Sequence, residues 1–249
     1  MPVFNFKVHG EKGEFLFLVH GWCCDHTFWR FQTARLASRF RVVTLDLEGH
    51  GLSAGTSEFS IDRFAENIVA VADALDVSKL ALMGHSMGGP VAIEAGLRLA
   101  ERCKFILGVD TFTDAAFYQR RPADEVALRV EKFAANFEAT MAKMVRNITA
   151  PQTEPTVIAD IIRVMTRCDR NVALTALRSL LEWDMEARWP LLDIPAATIN
   201  SAMLRGGAEL DLANLDLRFM HDVGHFPMLE SPDAFNSIAM TILEEHGAG

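Results

Sequence analysis

Short apolar runs alternate with segments of helical periodicity through the first half of the chain, and this alternation limits the folds available to it. Four runs have the length and composition of strands buried on both faces: residues 15–19, 41–46, 80–83 and 105–109. Between the second and third, Ser60 is a suitable N-cap for an amphipathic helix. Strand–helix–strand units of this kind connect through right-handed crossovers. The sequence therefore predicts an α/β fold with a mostly parallel sheet flanked by helices.

The alternation stops after Asp110, and residues from about 124 to 184 have the pattern of successive helices, with breaks near Pro151 and Pro155. It resumes with strand-like runs at 194–199 and 215–221 and a final helix that begins near Ser231 and Pro232. We therefore predict one domain, with a core of residues 1–111 and 191–249. A helical lid, residues 112–190, is inserted into this core.

The segment Gly84-His85-Ser86-Met87-Gly88 matches the pattern G-x-S-x-G between a strand-like run and the start of a helix. This context is that of a nucleophile elbow, a sharp strand-to-helix turn that raises a serine hydroxyl above the sheet. The helix N-terminus beside it favours developing negative charge. The context predicts that Ser86 is a nucleophile rather than a serine in an ordinary glycine-rich turn.

A serine hydroxyl needs a base, and His225 is the best candidate because it follows the last strand in a loop with Gly224. His221 is its main rival, whereas His20, His50 and His85 lie in glycine-flanked turns that favour bonding to the backbone.

The third group is a carboxylate that orients the imidazole. Asp110 ends the strand after the elbow, which places it beside Ser86, and it is our choice over the later Glu209 and Asp211. Asp46 also ends a strand, but we interpret it as structural.

Acyl transfer also needs donors to the oxyanion. The backbone amide of Met87 supplies one, and that of Trp22, in the loop after the first buried strand, supplies the second. The Trp22 indole either lines the substrate pocket or packs in the core. Apolar lid residues, with Phe112 and Phe117 foremost, are expected to bind substrate.

Composition excludes several classes of protein. The net charge of −9 argues against nucleic-acid binding, and no apolar segment is long enough for a membrane span. The four cysteines match no zinc or redox motif, and the N-terminus shows no signal-peptide pattern. We therefore expect a cytoplasmic enzyme that acts on a small molecule, without cofactor or metal. The sequence predicts no particular oligomeric state.

Together these motifs resemble the α/β-hydrolase superfamily over nearly the whole chain. The matching segments are His20-Gly21-Trp22, Asp46 with Gly49-His50-Gly51-Leu52-Ser53, Gly84 to Gly89, and Gly224-His225-Phe226. The resemblance implies a lidded sheet and a hydrolytic triad. Residues 21–26 are similar to carboxylesterase-like members, and also to the cofactor-free dioxygenases that cleave hydroxy-oxoquinolines. Those dioxygenases likewise place the acid where Asp110 stands. Glu48 departs from the pattern, in which Arg is common.

The leading hypothesis is a serine hydrolase that cleaves a carboxylic ester or lactone with a small or medium, largely apolar group, through an acyl-enzyme on Ser86. The alternative is a cofactor-free 2,4-dioxygenase in which the His225/Asp110 dyad deprotonates a hydroxy-oxoquinoline. A receptor that retains the fold without turnover is a third, less favoured hypothesis. Dehalogenation is disfavoured because that chemistry needs Asp at the position of Ser86.

Overall fold

The computed structural model describes residues 4–55, 58–112, 118–204, 212 and 215–246. The strands in this part of the chain are β1 (Phe6–His9), β2 (Phe15–Val19), β3 (Arg41–Leu45), β4 (Leu80–His85), β5 (Cys103–Val109), β6 (Ala196–Ser201) and β7 (Leu215–Met220). They form one seven-stranded sheet in the order β1-β3-β2-β4-β5-β6-β7. Only the β1–β3 pairing is antiparallel among them. The predicted α/β fold with a mostly parallel sheet is confirmed.

Strand β1 has no counterpart in the sequence prediction. It has four residues, of which Lys7 and Val8 are exposed, and it lies at the edge of the sheet. A short edge strand lacks the continuous apolar run of a strand buried on both faces. Its position therefore comes from pairing with β3 rather than from a local pattern.

The helices follow the predicted alternation closely. Helix α2 is capped by Ser60, whose hydroxyl accepts a hydrogen bond from the Arg63 amide at 3.1 Å. The α-helices are α1 (Thr33–Leu36), α2 (Ile61–Ala74), α3 (Gly88–Leu99), α4 (Ala123–Ala135), α5 (Phe137–Ile148), α6 (Pro155–Met165), α7 (Arg170–Glu182), α8 (Met185–Arg188), α9 (Pro227–Glu230) and α10 (Pro232–Glu245). Single 3₁₀ turns occur at His26–Trp29, Ala100–Arg102 and Trp189–Leu191.

Helices α4 to α8 fall inside the segment predicted as an insertion, and side chains of α4 to α7 cover a cavity above the carboxyl ends of β4 and β5. A buried carboxylate links this region to the core. Glu94 on α3 accepts hydrogen bonds from Trp183 Nε1 at 3.0 Å and from Arg98 at 2.9 Å, and it pairs with Arg188 Nε at 2.8 Å. These contacts hold the end of the predicted insertion against α3, and the division into core and lid stays a prediction. No helix of the described residues is long and apolar enough to cross a membrane.

Candidate active site

The turn between β4 and α3 has the geometry of the predicted elbow. Ser86 follows β4 directly and has a φ of +52°, a left-handed backbone conformation that residues other than glycine rarely adopt. A Cβ on Gly84 would lie 2.2 Å from the Gly88 carbonyl oxygen, and one on Gly88 would lie 2.4 Å from that of Val19. The two glycines are therefore required because the strand, the turn and the helix approach one another at backbone distance.

Asp110 and His225 meet at this edge of the sheet. The His225 Nδ1–H donates to Asp110 Oδ2 at 2.5 Å, and the Ser201 amide donates to the other carboxylate oxygen at 2.8 Å. Charged acceptors make short, strong hydrogen bonds of this kind. The carboxylate is thus held from two sides. With its proton on Nδ1, the His225 ring has its Nε2 lone pair available as a base.

The loop that carries His225 is fixed by its backbone. The His225 amide donates to the Ile148 carbonyl at the end of α5 at 2.7 Å, and a Cβ on Gly224 would lie 2.3 Å from the same oxygen. The Glu230 carboxylate accepts from the Gly224 amide at 3.0 Å and from the Phe226 amide at 2.9 Å. Because the flanking amides are held by one carboxylate, Glu230 positions the His225 loop. Sequence reasoning missed this role, since a glutamate in a short helix carries no signal for it.

His85 supports the same loop from the elbow. Its Nε2–H donates to the His225 carbonyl at 2.8 Å, and the two ring centroids are 4.9 Å apart. Burial, reinforced by the nearby His225, holds the pKa of His85 well below its usual value. His85 is therefore a neutral donor at neutral pH, which makes it a positioning residue for His225.

Ser86 and one predicted oxyanion donor, Trp22, line a common cavity, whereas Met87 is fully buried and does not line it. Ser86, Asp110, His225 and Trp22 line the same cavity. The Ser86 hydroxyl makes no hydrogen bond within the described residues, and neither do the backbone amides of Trp22 and Met87. The two amides therefore stay the predicted oxyanion donors.

The Trp22 side chain both lines the cavity and packs. Its indole N–H donates to the Ala173 carbonyl on α7 at 2.8 Å, and its ring meets Phe133 edge-on at 5.0 Å. The sequence left open whether Trp22 lines the pocket or packs in the core, and in the structure its side chain does both.

The cavity has a volume of about 910 Å³ and an apolar wall built mostly by helices α4 to α7. Three of its lining residues are charged: Asp110, which is bonded to His225, and Arg129 and Lys132 on α4. The apolar residues that these helices contribute to the wall include Leu128, Phe133, Met144, Ile148, Met165 and Leu177.

The structure does not place Phe112 on the cavity wall, which corrects the expectation that it binds substrate. Phe112 is fully buried, and its ring packs against Tyr118 at 6.3 Å and Trp189 at 6.0 Å between centroids. Its φ of +71° is a left-handed backbone conformation, which the apolar pattern does not reveal. Phe117, the other predicted pocket residue, lies outside the described residues.

The rival acids Glu209 and Asp211 also lie outside the described part of the chain, and the rival base His221 is exposed and does not line the cavity. Asp46 has the structural role expected of it. It accepts from the Leu52 amide at 2.9 Å and from the His26 amide at 2.7 Å.

The remaining histidines of glycine-flanked turns bond to the backbone as expected. His20 donates through Nδ1 to the Gly21 carbonyl at 2.9 Å, and His50 donates through Nδ1 to the Glu48 carbonyl at 3.1 Å. Among the residues that the structure describes, no group of three or more His, Cys, Asp or Glu side chains could hold a metal ion.

A sequence model of the alpha/beta hydrolase family matches residues 16–238. The structure is similar to an esterase from Thermogutta terrifontis, with a TM-score of 0.86, 22% identity, and coverage of 98% of this chain and 93% of that one. It is also similar to the enol-lactonase from Burkholderia xenovorans LB400, with a TM-score of 0.83, 21% identity, and coverage of 97% and 96%. At such identities the likeness shows the fold.

A curated relative shares a stronger local identity. A stretch of 94 residues is 45% identical to the dihydrolipoyllysine-residue acetyltransferase component of the acetoin cleaving system of Pseudomonas putida. This stretch covers 37% of this chain and 25% of that protein. The chain thus spans about a quarter of the length of that relative.

Proposed function

The chain belongs to the alpha/beta hydrolase family, and from this premise we propose that it is a serine hydrolase that cleaves a carboxylic ester or lactone through an acyl-enzyme on Ser86. The observation that carries the proposal is the 2.5 Å hydrogen bond between His225 Nδ1 and Asp110 Oδ2, beside a strained serine elbow. A base oriented in this way, on the same cavity as Ser86, can take the proton from the serine hydroxyl.

The first half of the reaction forms the acyl-enzyme. The Ser86 oxygen attacks the carbonyl carbon of the substrate while His225 Nε2 accepts its proton. The substrate oxygen becomes negatively charged and is bound by the amides of Trp22 and Met87. Asp110 stays ionised and stabilises the imidazolium. When the intermediate collapses, His225 returns the proton to the leaving alcohol oxygen.

The second half uses the same groups on water. His225 deprotonates a water molecule, the hydroxide attacks the acyl carbon, and the proton returns to the Ser86 oxygen as the acid leaves. In a lactone the leaving oxygen stays attached to the acyl group, so ring opening follows the same steps.

The cavity indicates the substrate class. Its volume of about 910 Å³ lies toward the upper end of the range for small-molecule sites, roughly 300–1,000 Å³. Its apolar lid wall suits a medium-sized apolar acyl or alcohol group. The cations Arg129 and Lys132 would favour a substrate that carries a carboxylate at the end remote from the scissile bond.

The direct test is the release of nitrophenol from short and medium nitrophenyl esters. We expect Ser86→Ala to lower kcat by at least roughly 10³-fold, because the nucleophile is lost while the oxyanion donors remain. Ser38→Ala, in an exposed turn, is the matched control and should leave kcat unchanged. A fluorophosphonate probe should label the wild type and Ser38→Ala but not Ser86→Ala. Turnover that persists in Ser86→Ala would contradict the proposal.

The cofactor-free dioxygenase is the second candidate, and one specific observation favours it. The Asp110–His225 dyad is complete without Ser86, whose hydroxyl makes no hydrogen bond in the described part of the chain. In that reaction His225 deprotonates the substrate, which then reacts with dioxygen. Oxygen consumption with a hydroxy-oxoquinoline, retained in Ser86→Ala and lost in His225→Ala, would establish it in place of the hydrolase.

A further inference from the structure

A second cavity, of about 540 Å³, lies between the loop after β2 and the junction of α6 and α7. It brings together Cys23, His50 and Cys168, with the cations Arg163 and Arg167 in its wall. The proposed hydrolysis uses none of these side chains. Its wall also includes Cys24 and the carboxylates Asp25 and Asp169, so the two cations are matched by two acids. Neighbouring thiols and an imidazole form a set of groups suited to thiol chemistry.

His50 is buried, with a relative exposure of 1%, and its orientation is known from its backbone contact. Because Nδ1–H donates to the Glu48 carbonyl, the lone pair of the ring is on Nε2. That atom is buried without a well-formed hydrogen bond within the described residues, and it borders the cavity near the Cys168 thiol. A buried imidazole with an unused lone pair is a base for the neighbouring thiol.

The two thiols differ in the charge state that their surroundings favour. A hydrogen bond from Cys23 lowers the pKa of Cys168 to about 6, against the effect of burial and with support from His50. Burial raises the pKa of Cys23 well above its usual value, so Cys23 stays protonated and can donate to its neighbour. Asp169 acts in the opposite direction on Cys168 but has a smaller effect. The pair is therefore a part-exposed thiolate next to a buried thiol.

We propose that Cys168 is a hydroperoxide-reactive thiol and that Cys23 converts its oxidised form into a Cys23–Cys168 disulfide. His50 Nε2 accepts the proton of the Cys168 thiol. The thiolate then attacks one oxygen of the hydroperoxide, the O–O bond breaks, and the leaving alkoxide takes that proton from His50. The Cys23 thiol then attacks the sulfur of the sulfenic acid and releases water. Two thiols lose two electrons in total, and the O–O bond gains them.

The other cysteines provide internal contrasts. Burial raises the pKa of Cys103 to about 12, and its thiol donates weakly to the Phe105 carbonyl at 3.8 Å. Cys24 donates to the Trp22 carbonyl at 3.4 Å, and burial raises its pKa well above the usual value. Neither residue shares a hydrogen bond with Cys168, so both are matched controls for the proposed pair.

The disulfide would join two parts of the chain that border the catalytic cavity. Cys23 is adjacent to Trp22, a proposed oxyanion donor, and Cys168 immediately precedes the N-cap of α7. The Trp22 indole already contacts α7 through the Ala173 carbonyl. A bond at this point would hold the lid against the loop after β2, and we expect the oxidised protein to unfold at a higher temperature than the reduced one.

The test is treatment of the full chain with equimolar hydrogen peroxide, followed by non-reducing peptide mass spectrometry. We expect one disulfide in the wild type, in Cys24→Ser and in Cys103→Ser, and none in Cys23→Ser or Cys168→Ser. In Cys23→Ser a sulfenic-acid probe should label Cys168, because the resolving thiol is missing. The disulfide of the wild type should revert with dithiothreitol.

A second measurement uses only the wild type, so it does not depend on whether a variant folds. Alkylation by iodoacetamide at pH 7 should modify Cys168 at least roughly tenfold faster than Cys103, since the thiolate is the reactive form. Equal alkylation rates, a disulfide that persists in Cys23→Ser, or a disulfide lost in Cys24→Ser would overturn the proposal. Because none of these readouts depends on Ser86, they are independent of the proposed hydrolase activity.

Discussion

Asp110→Asn tests the assignment of Asp110 as the acid of the triad more sharply than truncation of this side chain to Ala. The Ser201 amide donates to Asp110 Oδ1 at 2.8 Å, and an Asn side chain would turn its carbonyl oxygen toward this donor. Its NH₂ group would then face His225 Nδ1, which the carboxylate now meets at 2.5 Å. To accept from that NH₂, the imidazole must carry its proton on Nε2. The ring would keep its position but lose the lone pair that takes the proton of Ser86.

The expected loss follows from this change of tautomer. A wrong tautomer in a serine triad costs about 10⁴-fold in kcat, which corresponds to about 5.5 kcal/mol of activation free energy. The structural cost is smaller, because Asn keeps the contact with Ser201. Loss of one charge-assisted hydrogen bond removes about 2 kcal/mol of stability and lowers Tm by roughly 4–8 °C. The variant should therefore stay folded at 25 °C and be nearly inactive.

The assay is nitrophenyl ester turnover at 25 °C, together with a thermal melt of each variant. Glu209→Gln and Asp211→Asn are the controls, because these residues are the rival acids in the sequence. We expect both to retain kcat within about twofold of the wild type. Retention of more than a tenth of the activity in Asp110→Asn would refute the tautomer argument. A loss in Asp211→Asn would instead move the acid to that position.

Three further predictions rest on other contacts. The hydrogen bond to Asp46 raises the pKa of His26. Burial alone would raise the pKa of Asp46, but the hydrogen bonds that the Asp46 carboxylate accepts lower it. The His26 contribution to stability is complete below its unfolded pKa and is lost as pH rises through the folded value, whereas that of Asp46 is lost as pH falls through its own folded value. The Tm difference between wild type and His26→Gln should thus be largest between about pH 4 and 6.5, and a difference that is constant from pH 5 to 9 would contradict this. Glu94→Ala should lower Tm by roughly 10 °C, with Glu94→Gln milder, because it removes the buried acceptor shared by Trp183 Nε1 and the part-exposed Arg98 and Arg188; an unchanged melt would argue against this link to the predicted lid. Lys132→Met removes a cation from the cavity wall, so it should weaken the preference for an acyl chain that ends in a carboxylate. We expect kcat/KM for a nitrophenyl hemisuberate, divided by that for a nitrophenyl octanoate, to fall roughly three- to tenfold. The control Lys143→Met, at an exposed position outside the cavity wall, should leave this ratio unchanged.

The parts of this protein that could be predicted from its sequence are those with a local pattern. Strands buried on both faces appear as apolar runs, and β2 to β6 lie at or close to the runs that predicted them, as does the part-exposed edge strand β7. The elbow at Ser86 could be predicted because a tight strand-to-helix turn requires glycines at fixed offsets. Asp110 and His225 could be proposed from their places after strands, since the carboxyl ends of parallel strands meet at one edge of a sheet.

Contacts between distant residues were decided only by the tertiary structure. Asp110 is 91 residues from Ser201, whose amide holds it, and no periodicity links a backbone donor to a carboxylate at that distance. The burial of Phe112 is a similar case, because an aromatic residue has the same local signature in a core as in a pocket wall.

The Glu230 carboxylate and the meeting of Cys23 with Cys168 likewise depend on how loops from different crossovers pack together. The sequence by itself determined the layered sheet and the chemistry available at its edge, because strand periodicity and glycine turns are local. Only the tertiary structure determined which groups position the site residues, because these contacts form when segments distant in the sequence become neighbours.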